Sequence, residues 1–357
     1  MTPAGGVDGP QPARAVIVIG ASAGGVEALQ EVISRLPADL PAAVLVVLHV
    51  ASGAPSVLPR ILGRRAALDV SHARDGEPIV PGHVFVAPPD FHLLVKDGRL
   101  KLLRGPRENG MRPAVDPLFR SAADAYGPAV VGVVLSGSLD DGTLGLGMIK
   151  RAGGLAVVQD PDEALFDGMP RNAVERVRVD HVVPLAEIAP LLARLVHGWA
   201  LHQEPRPMAD ELETQRGAEE IDGGARQNEA LGGRLSGFTC PECHGALWAI
   251  ANGEIVRYRC RVGHAFSEEV LHEAKSVSIE AALWTALTAL EEQAALTQRM
   301  ADRAGAQRHL ERQRRYAEKA RLLEERAHLI ARVLHTTNFG ATNREPAAEE
   351  IADTGAP

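Results

Sequence analysis

The sequence predicts a doubly wound α/β domain around a mostly parallel sheet, and three observations predict it. Short, wholly apolar, β-branched runs recur at residues 15–19 (AVIVI), 43–48 (AVLVVL), 84–87, 129–135 (AVVGVVL) and 155–159, as in strands buried on both faces. Helical stretches fall between most of these runs, and such alternation builds a sheet with helices packed on it. The first run passes through Gly20-Ala21-Ser22-Ala23-Gly24-Gly25 into residues 26–36. There Val26, Leu29, Ile33 and Leu36 share a helical face, so the unit reads strand, tight turn, helix.

Taken in order, residues 1–13 are Gly, Pro and small polar types, a flexible lead-in. The α/β domain is expected over 14–198. Residues 93–103, turned at Lys96-Asp97-Gly98-Arg99, read as an antiparallel excursion from it. Residues 199–236 lose large apolar side chains and gain Glu, Asp, Gly, Gln and Arg, the composition of a linker. A small zinc-ribbon-like module is expected over 237–267, which holds every cysteine. An α-helical hairpin follows over 268–336, divided near Gly305. Its second half places Tyr316, Ala320, Leu323, Ala327, Ile330 and Leu334 on one seam. Residues 337–357 read as a disordered tail.

The chain has 357 residues, a net charge of −8 and three cysteines. No basic block stands out, which argues against nucleic acid as a partner. No apolar run reaches the roughly 18 residues of a membrane span, and no apolar core marks a signal peptide, so a cytoplasmic protein without membrane insertion is expected.

Gly20-Ala21-Ser22-Ala23-Gly24 fits the G-x-S-x-G nucleophile elbow, which exposes a serine on a sharp strand-to-helix turn. The same turn fits a phosphate-binding loop, although Ser22 stands where the second glycine of G-x-G-x-x-G belongs. A serine needs a base, and in a parallel sheet such side chains gather at the C-terminal strand ends. His49 ends the run 43–48 at that edge. His72 and His83 are expected to begin strands or loops, while His92 follows a strand end and fits by position as well. The run 129–135 leads into Ser136-Gly137-Ser138-Leu139-Asp140-Asp141-Gly142, where one aspartate could orient the histidine and Asp140 reads as a cap for the next helix.

These segments, with Leu48-His49-Val50, Arg112-Pro113-Ala114-Val115-Asp116-Pro117-Leu118-Phe119 and Gly168-Met169-Pro170, stand in the order found in the CheB methylesterase domain. The sequence resembles that family over roughly 15–195. Ala23 replaces the family's usual Thr after the serine, and Ser138-Leu139 a Met-Gly pair. The resemblance implies a protein-glutamate methylesterase with Ser22 as nucleophile, His49 as general base and then acid, and Asp141 as the orienting aspartate. It further implies a methylated chemoreceptor-like signalling protein as substrate, receptor glutamine deamidation as a slower side reaction, and no cofactor for catalysis. Family enzymes often carry a receiver domain ahead of the esterase; here the first strand begins at residue 15, and control by phosphorylation in cis is not expected. The alternative function is a catalytically silent adaptor binding a receptor or a methyltransferase.

Cys240-Pro241-Glu242-Cys243 and, sixteen residues on, Cys260-Arg261-Val262-Gly263-His264 form two knuckles with zinc-ribbon spacing. Cys240, Cys243, Cys260 and His264 are the expected ligands of a structural zinc. The alternatives are an unmetallated pair of knuckles and His244 as fourth ligand. Four protein ligands leave no open position, so the metal is expected to stabilise the tail without joining the chemistry. The C-terminal helices are the expected contact surface for a methyltransferase or another signalling protein.

Overall fold

The computed structural model describes residues 12–50, 56–202, 228, 229, 231–253 and 255–337. Most of the expected lead-in, linker and tail lies outside the described residues. The first strands, β1 (Val16–Ala21) and β2 (Ala43–Leu48), are connected by α1 (Gly25–Ser34). There follow α2 (Leu58–Leu62), β3 (Asp69–His72), β4 (His83–Val86) and a hairpin of β5 (His92–Lys96) and β6 (Arg99–Leu103). The second half holds α3 (Val115–Tyr126), β7 (Val130–Val134), α4 (Thr143–Arg151), β8 (Leu155–Gln159), α5 (Gly168–Arg176), β9 (His181–Val183) and α6 (Leu185–His202).

Seven strands form a parallel sheet in the order β3-β4-β2-β1-β7-β8-β9. Both faces are covered, which is why the central runs are apolar at every position. On one face Ile17, Ile19, Val44 and Val46 pack with Leu29 and Ile33 of α1 and Ile188 and Leu192 of α6. On the other, Val16, Val18, Leu45 and Val47 pack with Phe119 of α3, Ile149 of α4 and Met169 of α5. The chain winds outward from β1 through β2, then returns to β7 on the other side of β1. That reversal opens a crevice at the C-terminal ends of β1 and β7.

Two edge strands, β3 and β9, escape the sequence reading. An edge strand pairs on one side only and needs no continuous apolar run, and β3 (DVSH) and β9 (HVV) have none. His72 therefore ends a strand, against expectation. The β5–β6 turn is as expected: Asp97 and Gly98 both have positive φ, as a two-residue hairpin turn with right-handed strand twist requires.

A four-stranded antiparallel sheet follows, β10 (Arg234–Thr239), β11 (Ala246–Asn252), β12 (Ile255–Cys260) and β13 (Ala265–Phe266). Sequence alone sets this module beyond a linker and apart from the chemistry of the first domain. The structure instead joins the two within one compact unit ending at Leu271. Asn109 donates its backbone N–H to Ala265 O at 2.7 Å, Ala265 donates to Arg107 O at 3.3 Å, and Arg257 reaches Glu108 at 2.7 Å.

A helix α7 (Glu268–Ala306) carries the chain into a second unit, residues 272 onward, completed by α8 (Leu310–Thr336). Gly305 lies against Gln313 across a short turn that contains Arg308 at φ 56°. Leu287, Ala294, Thr297, Ala301 and Ala304 are buried on α7, and Ala320, Leu323 and Ala327 on α8. Steps of three, four and seven put each set on one face, the seam of an antiparallel pair. No described helix is long and apolar enough to cross a membrane.

Candidate active site

Ser22 and His49 are the first residues beyond a paired strand end, since Ala21 faces Leu48 in the β1–β2 register. Main-chain bonds extend the ladder past the sheet. His49 N–H donates to Ala21 O at 3.1 Å, Leu135 N–H to Gly20 O at 3.0 Å, and Ser22 N–H to Ser136 O at 3.0 Å. The turn into α1 passes through Gly24 at φ 70°, a left-handed conformation that favours glycine. A Cβ on Gly25 would sit 2.7 Å from Ala21 Cβ and Leu48 Cδ1, so the helix can start this close to the strand only on glycine.

The His49 imidazole lies between Ser22 and Asp141. Its Nδ1 is 3.2 Å from Ser22 Oγ and its Nε2 is 2.8 Å from Asp141 Oδ2. The side chains of His49 and Asp141 are 5% and 3% exposed. An ionised carboxylate this buried needs donors at both oxygens. Oδ2 also accepts the Val115 N–H at 2.7 Å, and Oδ1 accepts Asn109 Nδ2–H at 2.9 Å and the Asp116 N–H at 3.2 Å. Val115 and Asp116 begin α3, so Asp141 sits on a helix N-terminus, where free N–H groups and the helix dipole favour an anion. Burial acts to raise the Asp141 pKa, but the His49, Val115 and Asn109 hydrogen bonds outweigh it and hold the carboxyl below its usual range.

The neighbouring acids behave differently. Asp116 is also buried, and burial together with the Asp141 charge pushes its carboxyl well above the usual range. Its Oδ1 accepts the N–H groups of Gly142 (3.1 Å) and Gly145 (2.7 Å), tying α3 to the start of α4. Asp140 does not cap α4, against expectation. That helix has Gly142 (φ 95°) at its N-cap, and Thr143 N–H bonds the Asp140 backbone oxygen instead. The Asp140 carboxylate points to the Cys-containing module, accepting Ser267 Oγ–H at 2.5 Å.

The other candidate histidines are engaged elsewhere. His92 bonds Pro106 O and the Ala114 N–H, His72 faces the carbonyls of Val86 and Ser56, and His83 bonds Ser71 Oγ. Among the described residues, His49 alone is brought to Ser22.

Sequence reasoning gave no role to Asn109 or Ser136. Ser136 Oγ donates to Ala23 O at 2.8 Å and accepts Phe166 N–H at 3.0 Å, pinning the Ser22 turn to the loop before α5. Asn109 has φ 52° and precedes Gly110, and its only sequence signal is the Asn-Gly pair, which marks a turn.

Cys240, Cys243, Cys260 and His264 converge, with every ligand atom within 4.8 Å of the others. Cys243 Sγ lies 3.6 Å from Cys260 Sγ, and His264 Nδ1 lies 3.7 Å from Cys240 Sγ and 3.6 Å from Cys260 Sγ. A tetrahedron with Zn–S of about 2.3 Å and Zn–N of about 2.0 Å has edges of roughly 3.5–3.8 Å, so the four residues fit a metal ion. His264 Nε2 meets Glu242 at 3.2 Å, the carboxylate support usual behind a ligating histidine. His244 is left in the knuckle turn at φ 58°.

The chain matches the family model described as CheB methylesterase over residues 17–192. A putative protein-glutamate methylesterase/protein-glutamine glutaminase of Leptospira interrogans is 41% identical over 180 residues, covering 50% of this chain and 93% of that protein. A protein-glutamate methylesterase/protein-glutamine glutaminase of Anaeromyxobacter dehalogenans is 44% identical over 188 residues, covering 52% of this chain and 55% of that protein. The chain thus spans about half the length of this relative, as it does of one from Symbiobacterium thermophilum. The crystal structure of the Thermotoga maritima CheB methylesterase catalytic domain matches with 35% identity and a TM-score of 0.49, covering 51% of this chain and 98% of that one.

Proposed function

The chain belongs to the CheB methylesterase family, and from that premise we propose that it hydrolyses glutamyl methyl esters on a methyl-accepting chemoreceptor or related signalling protein. The observation that carries this reading is the line Ser22, His49, Asp141. Asp141 accepts the Nε2–H of His49, which fixes the tautomer and leaves the Nδ1 lone pair toward Ser22 Oγ.

In the proposed reaction Ser22 Oγ attacks the ester carbonyl carbon as its proton passes to His49 Nδ1. The imidazolium is stabilised by Asp141, and the N-terminus of α1 faces the developing oxyanion. His49 then protonates the methoxy oxygen, the C–O bond breaks and methanol leaves an acyl-Ser22. Water gives a proton to His49 while its oxygen attacks the acyl carbon. Collapse returns the proton to Ser22 Oγ and releases a free glutamate. A glutamine side chain would enter the same acyl intermediate with ammonia leaving, as the names of the relatives suggest for them. An amide is a poorer leaving group, so this activity is expected to be slower.

No cofactor enters these steps. We assign the Cys₃His cluster to a structural zinc, with the helical hairpin of residues 268–336 as a contact surface for a signalling partner. The test is methanol release from methyl-labelled receptor membranes. The Ser22→Ala protein is expected to lose at least about 10³-fold, because such groups act as a unit. A Ser22→Ala protein that keeps its turnover sinks the proposal.

A further inference from the structure

One side chain joins the proposed active site to the Cys₃His module. Asn109 is 8% exposed and every polar group of its amide is used. One Nδ2–H goes to Asp141 Oδ1 (2.9 Å), the other to Asp116 Oδ2 (3.2 Å), and Oδ1 accepts the backbone N–H of Ser267 (2.9 Å). The two carboxylates and the Ser267 N–H together fix which way round the amide sits. With that donor in place the carboxamide oxygen faces the module and both N–H bonds face the carboxylates. Without that donor the carboxamide oxygen has no partner on the module side, and the side chain is held at the carboxylates alone.

The knuckle that holds two of the four converging residues leads directly to Ser267. Cys260 and His264 close a knuckle in which Cys260 N–H bonds His264 O at 2.9 Å and Gly263 has φ 109°. Ala265, next in the chain, exchanges main-chain bonds with Arg107 and Asn109, and Ser267 follows two residues later. Glu108, beside Asn109, is held by Arg120 from α3 and by Arg257 from β12, the strand that ends at Cys260. The module's own apolar cluster is small: Leu247, Tyr258, Phe266, Val270 and Leu271 around Cys240 and Cys260. A core of this size gains much of its order from a bound metal where one is held.

We propose that the zinc-bound knuckle braces Asp141 through Ser267 and Asn109, so that metal occupancy sets the hydrolytic rate and Asn109 is a positioning residue for the His49–Asp141 pair. This rests on the hydrolase reading. It replaces the expectation that the metal serves the tail alone.

The test uses the full chain and a small ester such as 4-nitrophenyl acetate. Zinc is measured by atomic absorption and removed with a chelator. One zinc per chain is expected; its loss lowers kcat about 10- to 100-fold at unchanged KM, the scale on which outer supports of a site act, and stoichiometric zinc restores it. Asn109→Gly removes the amide while glycine holds φ 52° without strain. This variant is expected to keep its zinc, show the same fall in kcat, and respond no further to chelation. The readout independent of turnover is the proton NMR resonance of His49 Nε2–H, recorded in the Ser22→Ala background. It is expected to be sharp with zinc and broadened without it or in Asn109→Gly. A chelated protein with unchanged kcat and an unchanged His49 resonance overturns the brace. So does an Asn109→Gly protein with full activity, or one that loses as much again on chelation. Failure of the hydrolase reading is separate, since it shows as Ser22→Ala retaining turnover whatever the metal content.

Discussion

Ser22 and Asp141 stand at the two ends of one hydrogen-bonded line, and the protein holds them by different means. Ser22 is placed by main chain: a parallel register, bonds from residues 20–22 to 135 and 136, and a glycine turn into α1. Asp141 is placed by donors from Asn109, Val115, Asp116 and His49. A serine set by sheet register tolerates change in its side chain. An acid set by converging donors does not, because each donor is itself left unpaired when the acceptor goes.

Asp141→Asn is the largest expected break in this comparison. Donors face both oxygens, and an amide supplies one acceptor and one NH₂ that opposes two of them. The His49 tautomer also loses its fixed partner. A fall in kcat of about 10⁴ is expected, with a stability loss of about 1–3 kcal/mol. Ser22→Ala should lose comparable activity with an unchanged melting temperature. Equal melting temperatures for the two variants would erase the distinction.

The two ends meet at Val115. Its N–H donates to Asp141, and its Cγ1 would lie 2.3 Å from a Cβ on Gly20 and 2.8 Å from one on Gly142. Gly20→Ala should therefore push α3 away from β1, costing about 1–3 kcal/mol by overpacking. Turnover should drop with it, because Asp141 follows the α3 N-terminus. Val115→Ala opens the space, so the double variant is expected to recover stability and kcat together. Strict additivity in the double-mutant cycle would mean that Val115 does not link the two ends.

The same contrast explains what was legible in the sequence. Ser22 and His49 follow apolar runs that announce buried parallel strands, and strand ends share an edge, so their proximity follows from pattern. Edge strands β3 and β9 carry no such run and stayed hidden. The loop holding Asp140 and Asp141 was visible, but neither its internal geometry nor its partners were. Asp140 read as a helix cap because aspartate before a helix usually is one, yet Gly142 takes that place and frees its carboxylate for Ser267. Asn109 is 32 residues from Asp141 and 158 from Ser267. Nothing local marks a bond of that span, and the Asn-Gly turn accounts for its backbone without hinting at its amide. The cysteine spacing pointed to the four residues that converge, which are local to two knuckles. It could not give the docking of the module, which depends on side chains far upstream.

The smallest expected effect separates Asp140 from its neighbour. Both carboxylates are buried, yet Asp141 lies below its usual range while burial raises Asp140 from 3.8 to about 6. The difference is in the donors. Asp140 has one hydroxyl, from Ser267, with Arg176 at 3.6 Å and the charge of Glu269 opposing ionisation. The sign follows from linkage. Between pH 4 and 6 the unfolded chain has released this proton and the folded chain still holds it, so stability falls as pH rises through that window and levels off above it. A shift of about two pKa units corresponds to a loss of roughly 3 kcal/mol at most. Asp140→Asn keeps an oxygen for Ser267 and has no proton to release, so it should remove this part of the slope. Asp116 contributes to the slope of both proteins, so their difference isolates Asp140. Urea midpoints measured from pH 4 to 8 are expected to converge at the acid end. By pH 7 Asp140→Asn should lie above the parent by about 1–2 kcal/mol, once the weak Arg176 pairing is discounted. Parallel curves for the two proteins would show that Asp140 ionises as freely in the folded chain as in the unfolded one.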